Sequence, residues 1–339
     1  MNLQVAPVAI LGTGSCVPDR VMSNAEVGAP AGVDDTWIVR KTGIRERRWA
    51  EPQQATSDLA TGAARRALEA AGIAADQLSA IVVGTSTPDH QQPATAAFVH
   101  RNLGGARTAV SVFDVNAVCA GFMSALDAAQ ALVARSGGYA LAIGADTYSR
   151  ILNRGDRRSV ILFGDGAGAV VVGPAAAGSG RGIRASAFHI HSGLTDLIRV
   201  PAGGSRRPYD PAAHDAGLQY FTMDGRSVRE FFMGNVPGLA KQFLHDNAVL
   251  PADIAHVVPH QANGMMLDEM GPLLDLPAAT VHRTVHEYGN TGAASVPLTL
   301  DRAARSGALR PGELVLLVGM GGGMSISFAL VQWLSLIHI

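Results

Sequence analysis

Charged side chains are scarce in this chain of 339 residues, in which Asp, Glu, Lys and Arg together make up 16%. The 27 basic and 28 acidic residues give a net charge of −1, so no basic surface is available to hold nucleic acid or an anionic membrane. The chain has only 5% aromatic residues and two cysteines, which excludes a disulfide framework and a cysteine-rich metal site. Hydrophobic residues reach 47%, which is enough for a folded core and excludes intrinsic disorder.

Long apolar runs are also missing. No stretch of 18 consecutive apolar residues occurs, so the sequence predicts no membrane span. The apolar stretch near the N-terminus is interrupted by Gly12, Gly14 and Pro18 and follows no basic residues, which predicts a buried first strand rather than a signal peptide. We therefore expect a cytoplasmic protein. The last six residues, LSLIHI, follow a predicted final strand and carry no functional argument.

Short β-branched runs alternate with alanine-rich helical patterns, which is typical of strand–helix–strand crossovers and predicts a mainly parallel sheet. In the first half we predict strands at residues 79–86, 108–115, 140–145, 160–163 and 167–172, and helices at 58–71 and 121–134. In the second half we predict helices at 226–246 and 295–306, strands at 254–259, 313–318 and 325–331, and a proline-rich loop at 200–216.

A tetrapeptide recurs at half the length of the chain. Ala-Arg-Ser-Gly occurs at residues 134–137 and again at 304–307, and each copy ends a predicted helix that leads into an apolar strand and a glycine-rich turn. Four identical residues are weak evidence alone, but the matching order of elements predicts a duplicated α/β unit. We place the two halves at residues 1–175 and 176–339, with the glycine-rich stretch 173–182 as the junction.

Cys119 lies where a predicted strand ends and a helix begins. The unpaired N–H groups and the positive dipole end of a helix N-terminus favour a thiolate over a thiol. From this position alone, a catalytic nucleophile and a small buried hydrophobic residue are both open interpretations. Cys16 lies in a loop flanked by glycine and proline, and we expect it to be structural.

Two polar residues in the second half are candidates to act with the thiol. His260 follows the predicted strand at 254–259, and the carboxyl ends of strands are where α/β folds place their chemistry. Asn290 lies in a tight Gly-Asn-Thr-Gly turn before a helix. A satisfied histidine and an ordinary turn remain open as alternatives, because composition and spacing do not bring these residues to Cys119.

Several segments closely resemble β-ketoacyl-acyl-carrier-protein synthase III. They are DVNAVCAGF, VPHQAN, YGNTGAASVPL, FGDGAGAVVV, the glycine triplet before SISFALV, and the early DDTWIVRKTGIRERRWA. The resemblance runs from about residue 8 to Trp333. It implies a thiolase fold, which is an α/β fold of two similar βαβαβαββ halves in five α-β-α-β-α layers, usually assembled as a homodimer.

The resemblance also implies a reaction. Cys119 would take an acyl group from acyl-CoA as a thioester, while the backbone N–H groups of Cys119 and Gly323 form the oxyanion hole. His260 and Asn290 would bind the carbonyl of an incoming malonyl thioester and stabilise the enolate that remains when CO₂ leaves. The expected product is a 3-oxoacyl thioester, made in fatty-acid or polyketide biosynthesis.

The binding of coenzyme A is implied by three positions. Trp37 and Arg157 match the residues on the two faces of the adenine, and Lys41 stands where the family usually has arginine. Acyl-CoA is then a substrate, and no cofactor is expected. We expect no metal site either, since His189 and His191 have no acidic or cysteine partner at ligand spacing.

The chain departs from the family pattern at the expected carrier-protein face. Met265 replaces an arginine that would meet the acidic carrier, and Glu230 replaces a common docking lysine, which leaves Arg226 and Arg229 to hold the carrier. Gln92 stands where many relatives have a bulky apolar residue that crosses the dimer interface to the partner's acyl pocket. Glutamine there suggests a polar acyl group or a pocket opened for a longer one.

Three functions were weighed. The first is decarboxylating condensation of the acyl group on Cys119 with a malonyl thioester, for which malonyl-acyl carrier protein is the expected partner. The second is an acyltransferase of the same fold, in which His260 acts as a general base and moves the acyl group from Cys119 to an alcohol, amine or small thioester without decarboxylation. The third, a non-catalytic partner subunit, is disfavoured because the set of Cys119, His260 and Asn290 is intact.

Overall fold

The structure is a computed structural model that describes residues 7–105, 108–175 and 182–334. Residues 176–181 of the predicted junction and 335–339 of the C-terminal segment lie outside the described residues. Within the described ranges, none of the helices combines the length and the apolar character that a membrane crossing requires.

The strands and helices are numbered in chain order. The strands are β1 (Val8–Cys16), β2 (Val21–Ser23), β3 (Glu46–Arg48), β4 (Leu78–Gly84), β5 (Ser111–Val115), β6 (Tyr139–Thr147), β7 (Asp165–Pro174), β8 (Gly182–Ile190), β9 (Ile198–Arg199), β10 (Thr222–Met223), β11 (Ile254–Pro259), β12 (Thr280–Val281), β13 (Leu314–Gly321) and β14 (Ser325–Gln332). The α-helices are α1 (Asn24–Gly28), α2 (Asp35–Thr42), α3 (Thr56–Ala71), α4 (Thr95–Asn102), α5 (Gly121–Ser136), α6 (Pro211–Asp215), α7 (Gly225–Asp246), α8 (Gly264–Leu273), α9 (Val285–Tyr288) and α10 (Ser295–Arg305).

Two five-stranded sheets share one topology. The first has the order β1-β7-β6-β4-β5, and the second, read from its β8 edge, has the order β8-β14-β13-β11-β12. Each sheet takes five strands from its own half of the chain. In both sheets the first of these strands is at one edge, the fifth lies beside it, and the third is at the opposite edge. The repeated tetrapeptide lies at the ends of α5 and α10, which occupy corresponding places in the two halves. Its glycines, Gly137 and Gly307, have positive φ angles of 70° and 73°, a conformation that ends a helix.

The prediction of a mainly parallel sheet is wrong. In the first sheet β4 is parallel to β5 and β6, but β7 is antiparallel to β1 and β6. The second sheet likewise has two parallel and two antiparallel pairs. The short turn at residues 322–324 joins β13 directly to β14, and a chain that reverses in three residues can only pair antiparallel.

The helices complete five layers. Helices α3 and α4 pack on the outer face of the first sheet, and α7 and α8 pack on the outer face of the second. Helices α5 and α10 lie between the sheets, where their apolar side chains meet both inner faces. Because both faces of both sheets are covered, the central strands are buried along nearly their whole length, which explains their continuous apolar sequences. This arrangement is the thiolase fold.

The segment at 160–163 is not a strand, which corrects the prediction. It forms turns, and the carbonyl of Leu162 accepts a hydrogen bond from the N–H of Asn290 at 2.8 Å. Its side chains are apolar because they are buried beneath the site, in a cluster that also contains Cys119. The predicted loop at 200–216 contains one short helix, α6, which Asp210 caps by accepting from the N–H of Ala213.

Candidate active site

Cys119 lies on the turn between β5 and α5. Its side chain is buried, and its Sγ is 3.8 Å from the hydroxyl oxygen of Tyr148. The preceding residue, Val118, has a φ of 50°, a left-handed conformation that is uncommon for a β-branched residue. This sharp turn leads from the end of β5 into the helix and directs the thiol into the interior.

At Cys119, burial opposes the preference for a thiolate that the helix N-terminus provides. Burial, followed by the nearby negative charge of Asp146, raises the pKa of Cys119 to about 12. The helix dipole contributes at most ~2 kcal/mol, which is less than the cost of burying an unpaired thiolate. Burial therefore favours the neutral thiol of Cys119 over the thiolate.

The glycine triplet packs directly on the turn of the nucleophile. A Cβ at Gly321 would lie 2.6 Å from the carbonyl oxygen of Ala117, and one at Gly322 would lie 3.2 Å from Cγ2 of Val118. Gly323 has a φ of 134°, which only glycine adopts readily. Gly321 and Gly322 therefore pack against the Cys119 turn, while the oxyanion hole of Cys119 and Gly323 stays a prediction.

His260 follows β11 and is buried. Its backbone N–H donates to the carbonyl of Val318 at 2.7 Å, and its ring Nδ1 lies 2.6 Å from the hydroxyl oxygen of Ser295, the first residue of α10. Burial lowers the pKa of His260 to about 3, so the imidazole is neutral at physiological pH. Sequence reasoning missed Ser295, although a polar residue at the start of a buried helix was a visible signal.

Asn290 lines the main cavity of the described residues. Its side-chain oxygen accepts the N–H of Gly292 at 2.9 Å, which leaves the amide N–H₂ group of Asn290 for a ligand. Asp146, at the end of β6, anchors this turn by accepting from the N–H of Ala293 at 2.7 Å and from the N–H of Ser86 at 2.8 Å. Burial raises the pKa of Asp146 to about 6. Sequence reasoning missed it, although strand ends were flagged as functional positions.

The Asn290 turn is seated against the start of α5 by small residues. A Cβ on Gly121 would lie 3.3 Å from that of Ala293, and one on Gly144 would lie 2.2 Å from the carbonyl oxygen of Ala293. The turn that carries Asn290 thus contacts the residue two positions after Cys119, while the same turn leads into Ser295 and so to His260. The segments that carry Cys119, Asn290 and His260 therefore pack against one another.

An aromatic wall stands beside the thiol. The ring of Tyr148 stacks on that of Phe163 with centroids 4.4 Å apart, and Phe221 meets both rings edge-on at 5.6 and 5.0 Å. All three side chains are buried in the cluster that contains Cys119. Nothing in the chain's composition or spacing singled these residues out, because they are separated in sequence and converge only in the fold.

The cavity that Asn290 lines has a volume of about 1040 Å³, which suits a ligand of the size of a CoA thioester. Trp37, Lys41 and Arg157 all line it. The guanidinium carbon of Arg157 is 5.8 Å from the centroid of the Trp37 ring. Among the described residues, no carboxylate oxygen lies within 4 Å of the charged nitrogens of Lys41 or Arg157, so both cations are available to an anionic ligand.

The two predicted docking arginines do not lie on a separate face. Arg226 and Arg229 line the same cavity as the expected coenzyme A residues. Arg229 forms an ion pair with Glu269 on α8. Met265 is 41% exposed and Glu230 is also exposed, so neither departure from the family pattern is hidden in the core.

The remaining predicted positions lie outside this cluster. Gln92 is exposed on the surface of the single chain. His189 and His191 pack against Phe328 and Phe231, respectively. In the part of the chain that the structure describes, no group of three or more His, Cys, Asp or Glu side chains is arranged to hold a metal ion.

A duplicated five-layer fold with a buried cysteine ahead of one middle helix, an asparagine ahead of the other and a histidine bonded to the first residue of that second helix is typical of condensing enzymes of the thiolase class, which transfer acyl groups. Comparison with known proteins identifies the family within this class. Residues 113–192 match the family 3-oxoacyl-[acyl-carrier-protein (ACP)] synthase III, and residues 244–333 match its C-terminal region.

Individual relatives agree with this placement. The chain is 63% identical over 324 residues to acetoacetyl CoA synthase NphT7 of Streptomyces sp. strain CL190, covering 96% of this chain and 98% of that one. It is 44% identical to the β-ketoacyl-[acyl-carrier-protein] synthase III of Laribacter hongkongensis strain HLHK9, over 96% and 98% of the two chains. The crystal structure of the synthase III from Pseudomonas aeruginosa PAO1 superposes with a TM-score of 0.87 at 34% identity, over 97% and 98% of the chains. The chain belongs to the 3-oxoacyl-[acyl-carrier-protein] synthase III family.

Proposed function

We propose that this condensing enzyme joins a short acyl group from acyl-CoA to a malonyl group carried by CoA, with loss of CO₂, to give a 3-oxoacyl-CoA. With acetyl-CoA as the donor the product is acetoacetyl-CoA. The observation that carries the proposal is a pair of buried, uncharged groups, His260 and Asn290, on segments that pack against the start of the helix behind Cys119. Such a site stabilises a negative oxygen, which is what decarboxylation of a malonyl thioester generates.

The first step is the transfer of the acyl group. The sulfur of Cys119 bonds to the thioester carbon of acyl-CoA, the bond from that carbon to the CoA sulfur breaks, and the thiol proton ends on the released CoA. The tetrahedral oxygen lies at the N–H groups of Cys119 and Gly323. Each such donor contributes about 3–4 kcal/mol to the transition state. The step balances without a cofactor, since one thiol replaces another.

The second step is the condensation. His260 and Asn290 donate to the carbonyl oxygen of the malonyl thioester, so that the electron pair left by departing CO₂ is held as an enolate. The enolate carbon then attacks the acyl carbon on Cys119, and the bond from that carbon to the sulfur breaks. The thiolate released in this way takes a proton, which restores the resting thiol.

The aromatic wall supports a short acyl group. Tyr148 lies 3.8 Å from the sulfur of Cys119, and Phe163 and Phe221 fill the space behind its ring. An acyl chain longer than a few carbons would have to displace a packed aromatic ring, which costs far more than burying each added methylene returns. The relative with 63% identity bears the name acetoacetyl CoA synthase, which agrees with an acetyl donor.

The charges around the cavity support CoA, rather than a carrier protein, as the malonyl carrier. Met265 and Glu230 offer no positive charge to an acidic carrier, and Glu269 already occupies Arg229. The guanidinium of Arg157 faces the ring of Trp37 at 5.8 Å. A purine stacked between them needs about 3.5 Å on each side, so a separation of about 7 Å would let the pair hold the adenine of CoA.

The test is to supply acetyl-CoA with either malonyl-CoA or malonyl carrier protein and to measure CO₂ and the 3-oxoacyl product by mass spectrometry. We expect CO₂ and acetoacetyl-CoA in equal amounts and a higher kcat/KM for malonyl-CoA than for the carrier substrate. The matched variant Met265→Arg with Glu230→Lys should raise kcat/KM for the carrier substrate alone. Acyl transfer to a small acceptor without CO₂ would instead establish the acyltransferase alternative.

We further propose a homodimer in the cytoplasm. Strand β5 is an edge strand of the first sheet and its side chains are half-exposed, so it offers unpaired backbone groups to a second copy. Gln92 would then lie near the partner's site, as the family pattern implies. Both cysteines are free, which suits a reducing compartment such as the cytoplasm. Light scattering at micromolar concentration should give twice the 35.1 kDa mass of the chain.

A further inference from the structure

We propose that Ser295 is a positioning residue that holds His260 in the tautomer with its hydrogen on Nε2. The inference rests on the proposed function, because it explains why His260 acts as a donor to the malonyl carbonyl and not as a base. It concerns a residue that lies 35 positions from His260 in the chain and contacts it only through the fold.

The hydrogen bond itself is short and buried. The hydroxyl oxygen of Ser295 is 2.6 Å from Nδ1 of His260, and Ser295 has no exposed surface. Either atom could donate, depending on the tautomer. If Nδ1 carried the hydrogen, it would donate to the serine oxygen, and the hydroxyl hydrogen of Ser295 would need another acceptor.

The described residues supply no such acceptor. His260 Nδ1 is the one hydrogen-bond partner of the Ser295 hydroxyl within that part of the chain. A buried hydroxyl hydrogen without an acceptor is unfavourable, since it has lost water and gained nothing. The arrangement in which every group is satisfied has the Ser295 hydroxyl donating to Nδ1.

The other ring nitrogen is then a donor. A neutral imidazole has one N–H, so an accepting Nδ1 places the hydrogen on Nε2. Nε2 has no partner among the described residues, yet it is not one of their fully enclosed unpartnered atoms, so part of its surface is open to a ligand. The same holds for the amide nitrogen of Asn290, whose oxygen is occupied by the N–H of Gly292.

This tautomer suits decarboxylating condensation and does not suit acyl transfer by a general base. Nε2–H can donate to the carbonyl oxygen of a malonyl thioester, but it has no lone pair to take a proton from an alcohol or amine acceptor. Ser295 begins α10, which is packed between the two sheets, so the hydroxyl is held by a rigid element. The position of one serine therefore favours condensation over general-base acyl transfer.

The direct test is the nitrogen NMR spectrum of the whole protein labelled with ¹⁵N-histidine. The chain has 11 histidines, so the signal of His260 is assigned from its loss in His260→Gln. We expect a pyridine-type Nδ1 and a pyrrole-type Nε2 in the wild type, and a mixture of tautomers or the reverse tautomer in Ser295→Ala. A hydrogen on Nδ1 in the wild type would overturn the proposal whatever the activity of the enzyme.

The kinetic test separates loading from condensation. Ser295→Ala should load Cys119 at the wild-type rate, while condensation by the loaded enzyme falls roughly 10–100-fold, as for other outer partners of functional histidines. Ser295→Thr, which keeps the hydroxyl, should recover most of this loss. The matched control is Ser327→Ala, which removes a buried hydroxyl that has no partner and should leave both steps unchanged.

The outcomes distinguish this inference from the proposed function. An unchanged condensation rate and an unchanged His260 signal in Ser295→Ala would refute the role of Ser295 even if the wild type makes acetoacetyl-CoA. If the wild type instead releases no CO₂, the proposed function fails, and the NMR spectrum still reports the tautomer that the serine selects.

Discussion

The two middle-layer helices occupy corresponding places in the two halves and serve different purposes. Helix α5 begins two residues after Cys119, whereas α10 begins at Ser295, five residues after Asn290. Both follow corresponding strands, pack between the same sheets and end in the same tetrapeptide. In the proposed mechanism the first half contributes the reacting atom and the second contributes the donors, and two packed helices, rather than a loop, hold the segments that carry them.

Burial has opposite effects on the pKa values of Cys119 and His260. Burial raises the pKa of Cys119 to about 12 and lowers the pKa of His260 to about 3. Desolvation penalises the charged form of each group, which is the thiolate in one case and the imidazolium in the other. Burial therefore favours the neutral form of both groups, whereas Lys41 and Arg157 place positive charge at the cavity.

The largest expected effect on activity, and the sharpest test of the difference between the two halves, is at the Cys119 thiol. Cys119→Ala should abolish acylation, because it removes the only atom proposed to form a bond with the acyl group. The measurement is the intact mass of the protein after incubation with acetyl-CoA, with Cys119→Ser as a second variant. If the alanine variant still gains the acyl mass, the nucleophile lies elsewhere and the division between the two halves fails.

The next largest effect should come from the donors of the second half. His260→Ala and Asn290→Ala should each lower the condensation rate by roughly 10²–10³-fold, which is typical for the loss of one oxyanion donor. Both variants should still load acetyl groups, since that step uses the first half. An equal loss of loading and condensation would show that these residues activate the thiol instead.

The third expected effect concerns the aromatic wall beside the thiol and the length of acyl chain that it admits. Tyr148→Ala should open the aromatic wall and raise kcat/KM for butyryl-CoA relative to acetyl-CoA by about tenfold or more, since each methylene in a fitted pocket discriminates at that level. Tyr148→Phe is the matched control, because it keeps the ring and should keep the preference for acetyl. Competition between the two donors, followed by adduct mass, gives the ratio directly.

The smallest effect concerns pH. Condensation by pre-acylated enzyme should show no imidazole titration between about pH 5 and 8, because His260 has a pKa of about 3 and is neutral throughout that range. Single-turnover rates across the range provide the measurement. A fall in rate centred near pH 6.5, the usual histidine value, would contradict the buried neutral donor.

The same pKa makes a prediction for stability. Because the folded pKa of His260 lies below its unfolded value of 6.5, the unfolded chain binds more protons between about pH 3 and 6.5. The resulting contribution to the free energy of unfolding is fully present above pH 6.5 and is lost as the pH falls toward 3. Urea titrations should show a smaller acid-side loss in His260→Gln than in the wild type, while His245→Gln, an exposed control, should match the wild type.

Much of the architecture could be predicted along the chain. The alternation of apolar runs with helical patterns predicted most elements to within a few residues, and the recurring tetrapeptide predicted the duplicated topology. Cys119, His260 and Asn290 each lie at a boundary between elements, and their motifs identified them as a set. Such features are local, because the periodicity of a strand or helix and the residues of a turn are set by neighbours in sequence.

Only the tertiary structure decided the remainder. The buried segment at 160–163 has the composition of a strand, yet its backbone bonds go to the Asn290 turn, about 130 residues away. The link from Asp146 to Ala293 spans 147 positions, and the aromatic wall beside Cys119 is equally non-local. Whether the thiol and the imidazole are charged depends on how completely other elements cover them. The sequence by itself determined most of the elements and their duplication, and its resemblance to a known family supplied the candidate reacting groups. Their mutual distances, protonation states and hydrogen-bond partners follow from contacts between distant segments, which no local pattern encodes.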